Sequence, residues 1–181
     1  MSEQFDPQLA QRASDLIRPV PNYPTPGVVF KDITPLVADG PAYRDTILHF
    51  AQWAQTFGQV DLIAGTEARG FLFGAPVAAR LGAGFIPIRK AGKLPGPTLS
   101  SSYALEYAEA TVELRQDTIT PGARVLFIDD VLATGGTAAA SAELIEKAGG
   151  EVLALGFLLE LKFLAGREPL ANRIVHSLVA E

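Results

Sequence analysis

Asp129 and Asp130 are adjacent carboxylates set between the apolar run Val125-Leu-Phe-Ile128 and the small-residue segment Ala133-Thr-Gly-Gly-Thr137. The apolar run predicts a buried strand that emerges at the acid pair, and the residues from Ala138 onward suit a helix. Successive side chains on a strand point to opposite faces, so two neighbouring carboxylates can reach different partners. The turn Thr134-Gly-Gly-Thr137 would expose backbone N–H groups at a helix start, which is a ready anion site. Glycine there lets a ligand approach the backbone closely. Carboxylates for sugar hydroxyls beside amides for a phosphate are what a sugar phosphate requires. Taken singly, either aspartate could instead be a helix cap.

Other elements must position these groups. Apolar residues at 5, 9, 13, 16 and 17 carry a helical period from Phe5 to Ile17, which Pro19 ends. Pro19 to Pro26 reads as a rigid extended segment, followed by the short apolar run Val28-Val-Phe30. Asp39-Gly-Pro41 opens a second helix, with Tyr43, Ile47, Phe50, Ala51 and Ala54 on one face. Strands are expected at Asp61–Gly65, Gly84–Ile88, Arg124–Ile128, Val152–Leu159 and Arg173–Leu178, and helices at Phe71–Leu81 and Ala138–Lys147. Residues 91–103 are rich in Gly, Pro and Ser and read as a loop, with a hairpin at Tyr103–Tyr107 and Ala110–Leu114. Strand and helix alternate, so the expected fold is α/β: a parallel, doubly wound sheet flanked by helices. Ligands bind such sheets beyond the carboxyl ends of the strands. Three expected strands end in unusual sequences: Gly65-Thr-Glu-Ala-Arg-Gly70, Arg89-Lys-Ala-Gly-Lys93 and the acid-pair segment. Together they bring cations, small residues and carboxylates to one edge.

Bulk properties narrow the class. A chain of 181 residues, 48% hydrophobic and 19% charged, is most simply one domain, 1–181, with a filled core. It has no cysteine, which excludes disulfides, thiolate metal sites and a cysteine nucleophile. That composition suits a reducing, cytoplasmic setting. The N-terminus lacks the pattern of a signal peptide, and no apolar stretch is long enough to span a membrane. A net charge of −5 with no basic run argues against nucleic acid as partner. His49 and His176 lie in apolar periodic segments and read as packed side chains, and Trp53 as packing.

The segments GxxxxGK[ST] and GxGxxG are both absent, so neither the ATPase P-loop nor the dinucleotide fingerprint applies. Phe127-Ile-Asp-Asp-Val-Leu-Ala-Thr-Gly-Gly-Thr137 instead resembles the phosphoribosyl-pyrophosphate signature of the phosphoribosyltransferases. Pro24–Ile33, Ala68-Arg-Gly-Phe-Leu-Phe-Gly74, Arg89–Gly96 and Ser102-Tyr-Ala-Leu-Glu-Tyr107 are similar to the adenine-specific members. The resemblance covers roughly Ile17 to Leu170. It implies the phosphoribosyltransferase fold and a purine-salvage reaction in which adenine and 5-phosphoribosyl 1-pyrophosphate give AMP and pyrophosphate, with Mg²⁺. The metal would be held mainly by substrate oxygens and water, with no side chain assigned as a direct ligand.

The resemblance also assigns residues. Ala133, Thr134, Gly135, Gly136 and Thr137 would bind the 5′-phosphate, and Asp129 and Asp130 the ribose 2′ and 3′ hydroxyls. Arg69 and Lys93 would neutralise pyrophosphate, with Arg89 and Lys90 as further phosphate contacts, one of them reaching a partner subunit's site. A distorted peptide is expected near Glu67–Ala68. Phe30 would stack on adenine, with Leu161 on the other face and the backbone of Val29 and Lys31 reading the base edge. Some relatives have Arg at the position of Lys31, and Lys lacks its planar fork. Glu106 would handle the N9 proton, next to Tyr107. Residues 1–35 would hold the N-terminal helix and base-binding hood segment, and about 94–112 a mobile, Gly/Pro/Ser-rich hairpin closing over substrate. A homodimer is implied. Arg167 and Glu168 read as structural.

Two other readings remain. One is a phosphoribosyltransferase for hypoxanthine, guanine, xanthine or orotate, against which Val28-Val-Phe30 and the Glu106 hairpin speak. The other is a regulator that binds the sugar phosphate without turnover. That reading wants a basic DNA-binding extension, and only about 20 residues of mixed charge precede the proline segment.

Overall fold

The computed structural model describes residues 7–104 and 109–181. They divide into two compact units, one up to His49 and one from Phe50 onward.

In the first unit α1 (Pro7–Leu16) buries Leu9 and Ala13, on the stripe that the sequence period marks. The proline-rich segment supplies β1 (Arg18–Pro21), which pairs antiparallel with β2 (Val29–Asp32) in a two-stranded ribbon. Between them Asn22 takes a positive φ, its side chain accepts from the Gly27 N–H at 3.0 Å, and the Tyr23–Pro24 peptide is cis. A short helix, α2 (Thr34–Ala38), follows with Pro35 in its first turn. Asp39 then starts α3 (Gly40–Gln55), whose residues divide between the units: the Asp39 carboxylate accepts from the Ala42 N–H at 2.9 Å, as an N-cap does.

The second unit is built on a seven-stranded sheet of order β5-β6-β4-β3-β7-β8-β9. β3 (Leu62–Thr66), β4 (Gly84–Lys90), β7 (Arg124–Leu132), β8 (Glu151–Glu160) and β9 (Val175–Ala180) run parallel. α4 (Arg69–Leu81) connects β3 to β4, and α5 (Gly136–Lys147) connects β7 to β8. β5 (Thr98–Ala104) and β6 (Glu109–Arg115) form an antiparallel hairpin that joins β4 at Arg89 and Lys90. Pro87, which cannot donate to a ladder, precedes that join. The parallel strands read as continuous apolar runs because both faces are covered. On one face Ile86, Ile88, Val125, Phe127, Leu155 and Phe157 pack with Leu144 and Ile145 of α5. Phe50 and Trp53 at the end of α3 press on Gly156 and His176. Among the described residues no helix is long and apolar enough to cross a membrane.

Three expectations shift. β7 does not end at the acid pair but runs through Leu132, with Asp129 opposite Phe157 and Val131 opposite Leu159. β5 lies at Thr98–Ala104, ahead of the expected Tyr103–Tyr107, which in part falls outside the described residues. Ser101 is buried while Ser100 and Ser102 are exposed, so a period-two strand hides under loop-like composition. The short helix α2 has no counterpart in the sequence reading.

Gly156 is where the rings approach the sheet most closely: a β-carbon there would lie 2.8 Å from Trp53 Cζ3 and 3.3 Å from Phe50 Cε1. Gly156→Ala is expected to destabilise by about 1–3 kcal/mol through overpacking. A thermal melt showing no loss of Tm would contradict this packing.

Candidate active site

β3 and β7 are neighbours in the sheet, yet their connections leave in opposite directions, α4 toward β4 and α5 toward β8. This is a topological switch point, the place where an open α/β sheet leaves a crevice at its carboxyl ends. A cavity of about 250 Å³ lies there, lined by Thr66, Glu67, Ala68 and Arg69, by Ile88, Arg89 and Lys90, by Tyr103 and Val112, and by Asp129, Asp130, Val131 and Thr137.

Both helices that start beside it open without a side-chain cap. The helix dipole favours an anion at such a start. At α5 the opening residue is Gly135, with φ +82°, a conformation that β-carbons disfavour. Its α-carbon also abuts the Gly166 carbonyl oxygen, leaving no room for a side chain. At α4 the preceding Glu67–Ala68 peptide is cis, at the position where the sequence reading expected a distorted peptide.

The acid pair lies between these openings and is buried. Thr66 Oγ1 donates to Asp129 Oδ2 in a short hydrogen bond, and the Asp130 N–H donates to Asp129 Oδ1 at 2.9 Å. Gly70, in the first turn of α4, must lack a side chain: a β-carbon there would lie 2.5 Å from Asp129 Oδ1. Arg69 Nε sits 2.8 Å from Asp130 Oδ2 as an ion pair, and that oxygen makes no hydrogen bond among the described residues. Burial raises the Asp129 carboxyl well above its ordinary range, and the charge of Asp130 pushes it the same way. Burial also raises Asp130, with Arg69 opposing.

The cations are arranged unequally. Arg89 Nε donates to Glu67 Oε2 at 2.5 Å, and Arg89 Nη1 to the Lys93 carbonyl at 2.9 Å, which ties the end of β4 to the loop after β3. Lys90 lines the cavity; Lys93 is exposed on the turn beyond β4 and is not among the lining residues. Thr137 donates from Oγ1 to the Tyr103 hydroxyl at 2.8 Å, and the Tyr103 ring covers Gly136.

The structure thus brings Arg69, Arg89, Lys90, Asp129, Asp130 and Thr137 to one cavity. Ala133, Thr134, Gly135 and Gly136 form the turn leading from β7 into α5. Leu161 is buried just after β8, where its N–H donates to the Leu132 carbonyl at 3.0 Å. Val29, Phe30 and Lys31 lie on β2 in the first unit, where Phe30 meets Tyr23 edge-to-face at 5.1 Å. Glu106 and Tyr107 lie outside the described residues. The sequence reading expected the backbone of the Thr66–Arg69 loop to help Arg69 at pyrophosphate but assigned no side-chain role to Thr66, Glu67, Gly70 or Tyr103. All four sit inside motifs it quoted, but a lone Thr or Gly gives no sign of which carboxylate it will touch.

The phosphoribosyl transferase domain family matches residues 37–169. The chain is 59% identical over 156 residues to an adenine phosphoribosyltransferase of Thermobifida fusca, taking in 86% of this chain and 88% of that one. It is 51% identical over 169 residues to the enzyme of that name from Chloroflexus aurantiacus, covering 93% and 97%. A crystal structure of adenine phosphoribosyltransferase from Thermoanaerobacter pseudethanolicus superposes with TM-score 0.91 at 48% identity, over 95% of this chain and 99% of the other. The Saccharomyces cerevisiae enzyme, complexed with an imino-altritol bisphosphate and adenine, gives TM-score 0.89 at 38% identity, over 95% and 99%.

The acid pair makes a prediction about stability. Because the folded chain raises the Asp129 carboxyl, it binds that proton more tightly than the unfolded chain does. Ionisation therefore costs stability as pH rises from the ordinary carboxylate range through the raised value, and costs nothing below that range. Asp129→Asn removes the charge, and Thr66 can turn to accept from the new amide. Its Tm is expected to exceed wild type at pH 7, by about 2–4 °C per kcal/mol recovered, and the gain should shrink toward pH 4. Melting curves with a lower Tm at pH 7, or a gain that ignores pH, would refute the account.

Proposed function

The chain belongs to the phosphoribosyltransferase family, and we infer that it is an adenine phosphoribosyltransferase, a purine-salvage glycosyltransferase that makes AMP and pyrophosphate from adenine and 5-phosphoribosyl 1-pyrophosphate. The observation that carries this reading is a buried acid pair flanked by two uncapped helix N-termini. The donor has the matching layout: a polyol between two anionic groups.

In this reading the 5′-phosphate sits on the amides and hydroxyls of Ala133 to Thr137. The ribose 2′ and 3′ hydroxyls donate to Asp129 and Asp130; Asp130 Oδ2, ion-paired with Arg69, makes no hydrogen bond among the described residues, which supports that assignment. Pyrophosphate lies toward Arg69 and the start of α4, with Arg89, Lys90 and Lys93 as further cations. As the C1–O bond to pyrophosphate breaks, the ribose becomes oxocarbenium-like and the leaving oxygens gain charge, so preplaced amides and guanidinium groups act where charge develops. The Glu67–Arg89 pair keeps one cation at the cavity edge without mobile counter-ions. Phe30 and Leu161 are the proposed apolar contacts of adenine, with the backbone of Val29 and Lys31 at its edge and Tyr107 beside it. Glu106 takes the proton that N9 must lose as it attacks C1.

Magnesium fits these residues. Among the described residues no cluster of three acid or imidazole ligands exists, and Mg²⁺ commonly takes substrate phosphate oxygens and water. It would be held through pyrophosphate and the ribose hydroxyls that Asp129 and Asp130 orient, and when bound it supplies charge neutralisation on the leaving group. We also propose a homodimer, a cytoplasmic setting, the whole chain as the working unit, and a hairpin over residues 94–112 that closes on substrate to exclude water.

Purified protein with donor and Mg²⁺, offered adenine, hypoxanthine, guanine and xanthine separately, is expected to form nucleotide from adenine alone. Turnover of an oxopurine would overturn the base assignment; donor binding without any turnover would favour the regulator. Glu106→Gln is expected to lower kcat by about 10²–10⁴-fold, the usual share of a general base, with donor binding unchanged. An unaltered kcat would remove Glu106 from the chemistry.

A further inference from the structure

The segment after β8 is fixed by an ion pair between a buried carboxylate and a half-exposed arginine that no step of the reaction uses. Glu160 is the last residue of β8, and its side chain is 8% exposed. Arg167 grips it with both prongs of its guanidinium: Nε to Oε1 at 2.7 Å and Nη2 to Oε2 at 2.7 Å. Arg167 Nη1 also donates to the Val175 carbonyl at 3.1 Å, and Ser177 Oγ donates to Glu160 Oε2 at 2.8 Å. Such bidentate pairing fixes orientation as well as distance. Between the two charged residues the chain turns back through a 3-10 turn, Lys162–Leu164, and through Ala165 at φ +52°.

What this loop carries is Gly166. Its α-carbon lies against the Ala133 carbonyl, so a β-carbon there would overlap that oxygen and approach Leu132 Cγ to 3.0 Å. Its own carbonyl lies against the α-carbon of Gly135, and Pro169 closes the same side, 3.3 Å from where a Gly135 β-carbon would be. The turn proposed to bind the 5′-phosphate is thus backed by a second loop in backbone-to-backbone contact, and neither loop has side chains there to take up slack. A shift of the Arg167 loop is transmitted to Gly135.

We propose that Arg167 and Glu160 are positioning residues for the 5′-phosphate: their ion pair seats Gly166 against Ala133 and Gly135 and so sets the turn from which the phosphate is bound. The proposal rests on the reading of Ala133–Thr137 as the phosphate cradle. It makes the effect one-sided. Leu161, the proposed base contact, precedes the clamped turn and is held by its own hydrogen bond to Leu132. Loosening the clamp therefore affects the sugar-phosphate half and spares the base half. A residue that merely stabilised the fold would show no such preference.

The test is steady-state kinetics of the full-length protein carrying Arg167→Ala, with AMP and ribose 5-phosphate as competing ligands. The donor KM is expected to rise by about tenfold to a hundredfold, the scale on which a displacement of order 1 Å acts. Binding of AMP and ribose 5-phosphate should weaken in parallel, while the KM for adenine stays within about twofold. Arg167→Lys guards against a folding failure, because it keeps the charge and the stem at a half-exposed position. A point donor cannot reproduce the fork, so the same split should appear, smaller in size. Donor and adenine KM moving together, or both variants leaving the donor KM unchanged, would overturn the proposal. A wild-type protein that makes no AMP from adenine would instead overturn the reading on which it rests.

Discussion

Two carboxylates buried side by side near the end of an inner strand are an unfavourable arrangement, and much of the second unit exists to tolerate it. Removing a charge from water costs several kcal/mol unless hydrogen bonds and opposite charge compensate. Here the compensation is specific. Thr66 reaches across from β3, the Asp130 amide turns onto its neighbour, and Arg69 comes from the first turn of α4. The Thr66 and Arg69 partners depend on β3 lying next to β7, which the reversal of strand order at that point provides. Gly65 and Gly70 have no side chains because the Ile128 carbonyl and the Asp129 carboxylate occupy the space they would need. The compensation is nevertheless incomplete, since both carboxyls remain raised. Sugar hydroxyls, which donate to the ionised form, are the kind of ligand that completes it.

The phosphate end relies on shape more than charge. A helix N-terminus binds an anion only if its amides converge, and a glycine-containing turn has the freedom to miss. The turn before α5 is constrained from both sides: the Tyr103 ring lies on Gly136, and the Gly166 carbonyl lies on Gly135. These constraints come from distant parts of the chain, a hairpin strand and a loop beyond β8. The geometry of the turn proposed for the phosphate is thereby coupled to elements outside it.

The sheet and its order of elements were legible in the sequence because parallel strands buried on both faces are continuous apolar runs, and helices between them keep a 3.6-residue period. Phe71–Leu81 and Ala138–Lys147 lie within two residues of α4 and α5 at their starts and match at their ends. Legibility failed where composition and role part company. Thr98 to Ser102 look like loop residues, yet they form a strand because Ser101 can be buried against Glu143 of α5, to which it donates at 3.3 Å. β7 continues past the acid pair because a paired strand tolerates carboxylates when a neighbouring element supplies their partners. Asp129 and Asp130 were singled out by type and spacing, and Arg69 by the resemblance of the segment around it. Thr66, Gly70 and Tyr103 were not, since their roles are contacts across 63, 59 and 34 residues of sequence. Arg167, read from sequence as structural, acquires a relation to the site only once Gly166 is seen against Ala133.

Unliganded, the site contains groups that folding alone does not favour: a raised carboxyl pair, two helix starts without caps, and cations gathered at one cavity. None of these is needed to close the hydrophobic core, which Phe127, Phe157, Leu144 and their neighbours complete without them. The core instead fixes their separation, because the two helix starts are set by strands hydrogen-bonded in register, Ala64 opposite Phe127. In the proposed reading, a ligand with a phosphate at one end, a pyrophosphate at the other and hydroxyls between would meet donors and acceptors already spaced for it, and little ordering would remain to be done on binding. β6 pairs with β4 through Arg89 with Glu113 and Lys90 with Val112, so the hairpin whose Tyr103 ring lies on Gly136 is anchored to the same sheet as the acid pair.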